Sequence, residues 1–171
     1  SAQDSTLVTI KAGNKVGDVL TQADIYLYPQ FTTGEIIFKD GKKVIVDMNY
    51  TRLFDQMLYI NHKNDTLALA DEKTIKFIAI LKDTFYYDNG FVRIITDNDF
   101  VKFAEKQTWI VADIRKIGTH NTPKNTVAIT SLTAYTDGTD AAKSKDLILN
   151  EDIVLRKETQ YYFGNAYNNF V

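Results

Sequence analysis

Residues Lys73 to Thr96, KTIKFIAILKDTFYYDNGFVRIIT, decide the fold class. Ile75, Phe77 and Ala79 alternate with Thr74, Lys76 and Ile78. Successive side chains of a strand point to opposite faces, so this period of two predicts a half-buried β-strand. Phe85 and Tyr87 then alternate with Thr84, Tyr86 and Asp88, and Asn89-Gly90 follows. That dipeptide tolerates positive φ at both turn positions, as a type I′ hairpin requires. Phe91, Arg93 and Ile95 resume the alternation. The stretch therefore reads as strand, two-residue turn, strand.

The same pattern recurs outward in both directions. Asp40-Gly41 separates Glu35–Lys39 from Lys43–Tyr50, a second hairpin signal. Gln56–Asn61 reads as a strand, Asn61–Asp65 as a polar turn and Thr66–Ala70 as a short strand. Pro29 has no N–H to give a ladder, which places it at a strand end or edge. Phe100–Phe103, Thr108–Ile114 around Trp109, and Thr126–Thr136 continue the strand reading, with a polar loop across 115–126. Leu147–Leu149, Ile153–Leu155 and Tyr161–Phe163 close the series. Residues 1–20 carry a short apolar alternation broken by Gly13 and Gly17, an edge strand on a loosely attached arm.

Composition agrees. Asp outnumbers Glu by 17 to 5, with 19 Thr and 12 Asn, which favours turns and strands over helices. Apolar residues at 44% and aromatics at 12% are enough for a packed core without metal or disulfide staples. The expected fold is all-β, an antiparallel hairpin meander forming a sandwich or partly closed barrel, as a single domain over 1–171. Its core should draw on Ile36, Phe38, Val44, Val46, Leu58, Ile60, Ile75, Phe77, Phe85, Ile94, Trp109, Val127 and Ile129.

Several chemistries find no support in the residues. With no cysteine there is no disulfide, thiolate metal site or Cys nucleophile. The four serines, Ser1, Ser5, Ser131 and Ser144, lie outside any nucleophile elbow, and His62 and His120 sit in polar, turn-like segments. Asp97-Asn98-Asp99 and Asp137–Asp140 offer oxygens of the kind Ca²⁺ takes, but neither has the full loop with its terminal Glu, so both read as turns. Glu35, Asp47, Glu105 and Asp113 lie in or near strands, where a glycosidase would need two of them to converge. No catalytic residue and no cofactor is assigned. A net charge of −2 with no basic run argues against nucleic acid, and no apolar run reaches the ~20 residues of a membrane-spanning helix.

Tyr28-Pro29-Gln30-Phe31 with Gly34 and Phe38–Gly41, Asn49-Tyr50-Thr51 before Asp55-Gln56-Met57, Asp65-Thr66-Leu67 and Tyr161-Tyr162-Phe163 together resemble uncharacterised exported proteins of Bacteroidetes-type bacteria. The resemblance covers roughly residues 25 to 163. It implies an exported, β-rich domain of the cell envelope or its surroundings, supplies no catalytic residue, and implies a basic helical tail beyond Val171. The small, polar start at Ser1 fits a processed terminus, and an arbitrary boundary would look the same.

What remains is the abundance of tyrosine. Aromatics on strands mostly fill cores or pack across strands, but exposed ones make platforms for sugars and protein partners. Tyr86, Tyr87, Tyr135 and Tyr162 are the expected surface contacts. The favoured expectation is an exported binding or scaffolding module, with a protein or glycan of the cell envelope as partner. A small hydrolase acting on carbohydrate or envelope material and a lipocalin-like carrier are the alternatives.

Overall fold

A computed structural model describes residues 6–98, 100–115 and 141–171 of the chain. Strand makes up 55% and helix 10%, far from the helix share of roughly one-third in ordinary soluble proteins. The all-β expectation holds. Ten strands form one antiparallel sheet: β1 (Leu7–Ile10), β2 (Thr32–Phe38), β3 (Lys43–Thr51), β4 (Gln56–Ile60), β5 (Thr66–Ala68), β6 (Ile75–Ile80), β7 (Asp83–Tyr87), β8 (Phe91–Asp97), β9 (Lys102–Arg115) and β10 (Asp152–Gly164). Their order is β1-β10-β9-β8-β7-β6-β2-β3-β4-β5. Two meanders, β2–β5 and β6–β10, thus join through the β2–β6 ladder. Among the described residues the strands form a single sheet, which is not closed into a barrel.

The opening stretch supplies β6, β7 and β8. One detail differs from the sequence reading. The last β7–β8 pair is Tyr87 with Phe91, which leaves three residues, Asp88-Asn89-Gly90, in the turn. Asn89 and Gly90 do take positive φ, at 52° and 129°. The Phe91 N–H donates instead to Asp55 Oδ1 at 3.1 Å, so the turn is held from outside the hairpin. The Asp40-Gly41 hairpin forms as expected, with Gly41 at φ 88°.

β3 and β4 are buried on both faces where they pair, from Met48 to Thr51 and at Met57 and Leu58. Asn49 pairs with Leu58 and Tyr50 with Met57, and all four side chains are buried. Leu58 packs with Ile10, Trp109, Ile153 and Leu155, whereas Met57 packs with Ile36, Ile78, Phe85 and Phe91. The hairpin therefore lies between two apolar clusters, and the sheet rolls until β1, β9 and β10 cover its far side. Trp109 ties the roll, its N–H donating to Arg52 O at 3.0 Å and its indole N–H to Asp24 O at 2.9 Å.

The N-terminal segment corrects the arm expectation. β1 is an edge strand, but Ile10, Val16 and Leu20 are buried in the first cluster. The Ala23–Phe31 segment opens as a helical turn, Gln22–Ile25, capped by Thr21 and Asp24, and β2 starts only at Thr32. Of the expected core, Ile36, Leu58, Ile75, Phe85 and Trp109 are buried. Phe38, Val44, Val46, Ile60, Phe77 and Ile94 are half-buried, and Val127 and Ile129 lie outside the described residues. In β6 the buried residues are Ile75, Ile78 and Ile80. The register shifts by one residue where Phe38 pairs with Ile75 but Ile37 pairs with Phe77. A bulge at Lys76 breaks strict alternation, which is why Ile75 and Ile78, three apart, both point inward.

Candidate functional site

Two places gather polar side chains, and they differ in kind. The first lies inside the rolled sheet. Arg93 of β8 donates to Asp83 Oδ1 at 3.1 Å and to Glu105 Oε1, and Tyr28 donates its hydroxyl to Asp83 Oδ2 at 2.7 Å. Beside this network, Tyr50 donates to Asp55 Oδ1 at 2.7 Å and Lys106 to Asp55 Oδ2 at 2.8 Å. Burial pushes the Asp55 carboxyl above its usual range although Lys106 pulls the other way. Burial also raises the Tyr28 and Tyr50 hydroxyls, and their carboxylate partners add to it, so both stay protonated donors. For Arg93, burial opposes the charge, but the bonds to Glu105 and Asp83 outweigh it and the net shift is upward.

This network is structural. The cavity lined by Tyr50, Arg52, Arg93 and Glu105 holds about 20 Å³, room for a water. Asp83 and Glu105 both bind the Arg93 guanidinium. Of the other acids named from sequence, Glu35 is paired with Lys43 at 2.8 Å, Asp47 accepts the Thr33 hydroxyl at 2.6 Å, and Asp113 accepts the Ile114 N–H at 2.8 Å. Glu35 and Asp47 are diagonal neighbours on the β2–β3 ladder, and each is already bonded to a strand neighbour. His62 is exposed in the β4–β5 turn, and His120 lies outside the described residues. Among the described residues no cluster of three His, Cys, Asp or Glu is placed to hold a metal. Asp99 and the 137–140 segment lie outside the described residues.

The second place is a surface cleft of about 330 Å³. It is lined by Lys39, Lys73, Lys76, Tyr86, Tyr87 and Tyr167, with the amides of Asn89, Asn168 and Asn169 and the carboxylate of Asp88. Each part has a local cause. The β2–β3 turn delivers Lys39, whose N–H donates to Thr74 O at 2.9 Å and so docks the turn on the entry to β6. A 3-10 turn, Glu72–Thr74, presents Lys73, and the bulge in β6 leaves Lys76 exposed. Tyr86 and Tyr87 sit at the end of β7, where the turn begins.

The C-terminal segment supplies the remaining lining. Asn165 Oδ1 accepts the N–H groups of Tyr167 at 2.9 Å and Asn169 at 3.2 Å, folding the chain back. Val171 then pairs with Phe163 through two backbone bonds of 2.8 and 3.0 Å. The Phe170 N–H donates to Asp88 Oδ2 at 2.9 Å, tying the segment to the β7–β8 turn. The Phe170 ring lies 6.0 Å from that of Tyr86, and Lys102 Nζ stands 4.7 Å from the Tyr86 ring centre. A side chain at Gly164 would meet the Phe170 ring at 2.5 Å, so glycine is what lets the ring lie there.

Of the four tyrosines expected at the surface, the fold brings Tyr86 and Tyr87 together in the cleft. Tyr162 stands apart from it, its hydroxyl donating to Gln160 Oε1 at 2.7 Å and its ring 5.9 Å from Lys106 Nζ. Tyr135 lies outside the described residues. Tyr87 is half-buried against Phe91 in an edge-on contact, and burial and the nearby Glu72 raise its hydroxyl pKa. The three lysines and the asparagines carry no signal in sequence, because they come from four separate segments. A second aromatic group, Phe103 stacked on Tyr161 at 5.5 Å and beside Phe163 at 5.3 Å, is cross-strand packing on β9 and β10.

The fold and cleft define an open-sheet, all-β protein with a polar, tyrosine-bearing surface cleft. No protein-family model, curated protein or solved structure matches the chain.

Proposed function

We propose that the chain is a non-catalytic, exported binding module, and that the cleft at Tyr86 and Tyr87 is where it holds a component of the cell envelope. One observation carries the reading: two tyrosines picked from sequence as contact residues line the same 330 Å³ cleft as a third, Tyr167, and three amides. That volume sits at the lower end of the ~300–1,000 Å³ typical of ligand sites. Tyrosine faces supply apolar contact, and Asn89 and Asn169 supply amide groups that both donate and accept.

The chemistry of the cleft favours a glycan over a protein partner. Exposed amides flanking aromatic rings suit paired hydroxyls above an apolar ring face. Binding without turnover fits the interior as well, since its carboxylates are consumed by Arg93 and Lys106. Export is supported by the resemblance described above.

The test is a binding screen of the purified chain on an array of bacterial envelope and extracellular glycans, repeated with Tyr86→Ala. The expected result is a retained glycan class whose signal falls at least tenfold in the variant. Equal retention by both proteins would remove the cleft from consideration. Release of a shortened or hydrolysed glycan would replace binding by catalysis.

A further inference from the structure

Resting on the reading of the cleft as a glycan site, we infer that its ligand carries negative charge: a sugar unit bearing a carboxylate or sulfate. The cleft is cationic on a chain whose net charge is −2. Lys39, Lys73 and Lys76 are all exposed, and none makes an ion pair with another described residue. Elsewhere the lysines near acids are paired: Lys11 with Asp152, Lys43 with Glu35, Lys106 with Asp55. Only one carboxylate lines the cleft, Asp88, and its Oδ2 is occupied by the Phe170 N–H at 2.9 Å. Glu72 stands close enough to Tyr87 to act on its hydroxyl, and three cations still outnumber the two acids.

The grouping is built by the fold, not by a run in the sequence. The Lys39 N–H bond to Thr74 O sets Lys39 alongside the segment that carries Lys73, and the bulge turns Lys76 outward nearby. Like charges gathered around one cleft repel, and an anion in their midst relieves that repulsion. The same side of the molecule offers the Tyr86, Tyr87 and Tyr167 rings and the Asn89 and Asn169 amides. Lysine is a point charge on a flexible stem and recognises an anion without demanding a planar fork. The combination matches a charged sugar better than a neutral one. It matches single-stranded nucleic acid less well, since that needs a groove that tracks several phosphates.

Isothermal titration of the chain against four probes tests this: a galacturonic-acid tetrasaccharide, a heparin-derived sulfated tetrasaccharide, a neutral maltotetraose and oligothymidylate. Binding of the uronate or the sulfated probe is expected, and which of the two binds identifies the anionic group. Affinity should drop as salt rises from low to physiological, and the triple variant Lys39→Ala, Lys73→Ala, Lys76→Ala should lose at least tenfold. All three side chains are exposed, and an unchanged circular dichroism spectrum would confirm that the variant is folded. Equal binding of maltotetraose, with no effect of the lysine changes, would overturn the charge inference and leave the cleft reading standing. Tighter binding of oligothymidylate would overturn it in favour of nucleic acid. If no oligosaccharide binds and Tyr86→Ala changes nothing, the cleft reading falls and the inference with it.

Discussion

At the scale of single residues, Gly90 shows how a turn signal can be right for more than one reason. Its φ of 129° is open to glycine, and a side chain there would also run into Lys106 Nζ and Asp55 Oδ2. The Asn-Gly pair was legible as a turn; the buried ion pair beneath it was not, since Asp55 and Lys106 are far apart in sequence. Gly90→Ala should destabilise the fold by about 2–3 kcal/mol, combining backbone strain with displacement of a paired charge, as read by urea unfolding. Asp24 gives a prediction with a pH sign. Its carboxylate accepts from the Thr21 hydroxyl at 2.7 Å and the Thr21 N–H at 2.8 Å, and these bonds hold its pKa below the ordinary value despite some burial. A lowered folded-state pKa contributes stability above the unfolded pKa and loses it as pH falls through the folded one. Asp24→Ala should therefore cost about 0.5–1 kcal/mol at neutral pH, and the gap to wild type should close as pH falls through and below the usual carboxylate range. A gap that persists in acid would assign the effect to something other than the cap. Burial decided a third residue: Asn49 begins an Asn-Tyr-Thr glycosylation pattern, but it is fully buried, its amide bonded to Tyr28 O at 2.9 Å, so in the folded chain it is inaccessible to modification.

At the scale of elements, β1 was legible as an edge strand and misjudged in its attachment. Four residues followed by Gly13 and Gly17 look weak in sequence. In the structure they pair with β10 from Leu7–Arg156 to Ile10–Ile153, and Ile10 is fully buried. Ile10→Ala should cost about 2–4 kcal/mol in equilibrium unfolding, the usual range for a core truncation; a loss below about 0.5 kcal/mol would restore the loose-arm view. The C-terminal segment is a comparable case. Its return along β10 depends on the Asn165 turn and on the Phe170–Asp88 bond, neither of which follows from periodicity. Asp88→Ala should free the segment, seen as faster amide exchange at Asn169 to Val171, while global stability changes by less than about 1 kcal/mol. Weaker ligand binding should accompany it, because Tyr167 and the amides would lose their place.

At the scale of the whole molecule, the chain determined its class and left its assembly to long-range contact. Period-two alternation and Asp-Gly or Asn-Gly turns act between neighbours in sequence, so the antiparallel meander and most strand positions could be read directly. How far the sheet rolls could not. That depends on which apolar faces meet, and the paired end of the β3–β4 hairpin is buried on both sides by clusters that reach as far as Trp109 and Phe85. Whether alternation survives within a strand depends on bulges set by the partner strand, as at Lys76. The site divides in the same way. Tyr86 and Tyr87 were visible because they stand together beside a strong turn. Lys39, Lys73, Lys76 and the 167–169 segment became a site only through folding, since charge and amide groups carry no periodicity and acquire meaning from proximity. The sequence by itself determined an all-β chain, because strand and turn preferences are local. The tertiary structure alone decided that this chain carries a cationic cleft, because electrostatics and cavity shape are properties of residues that only the fold brings together.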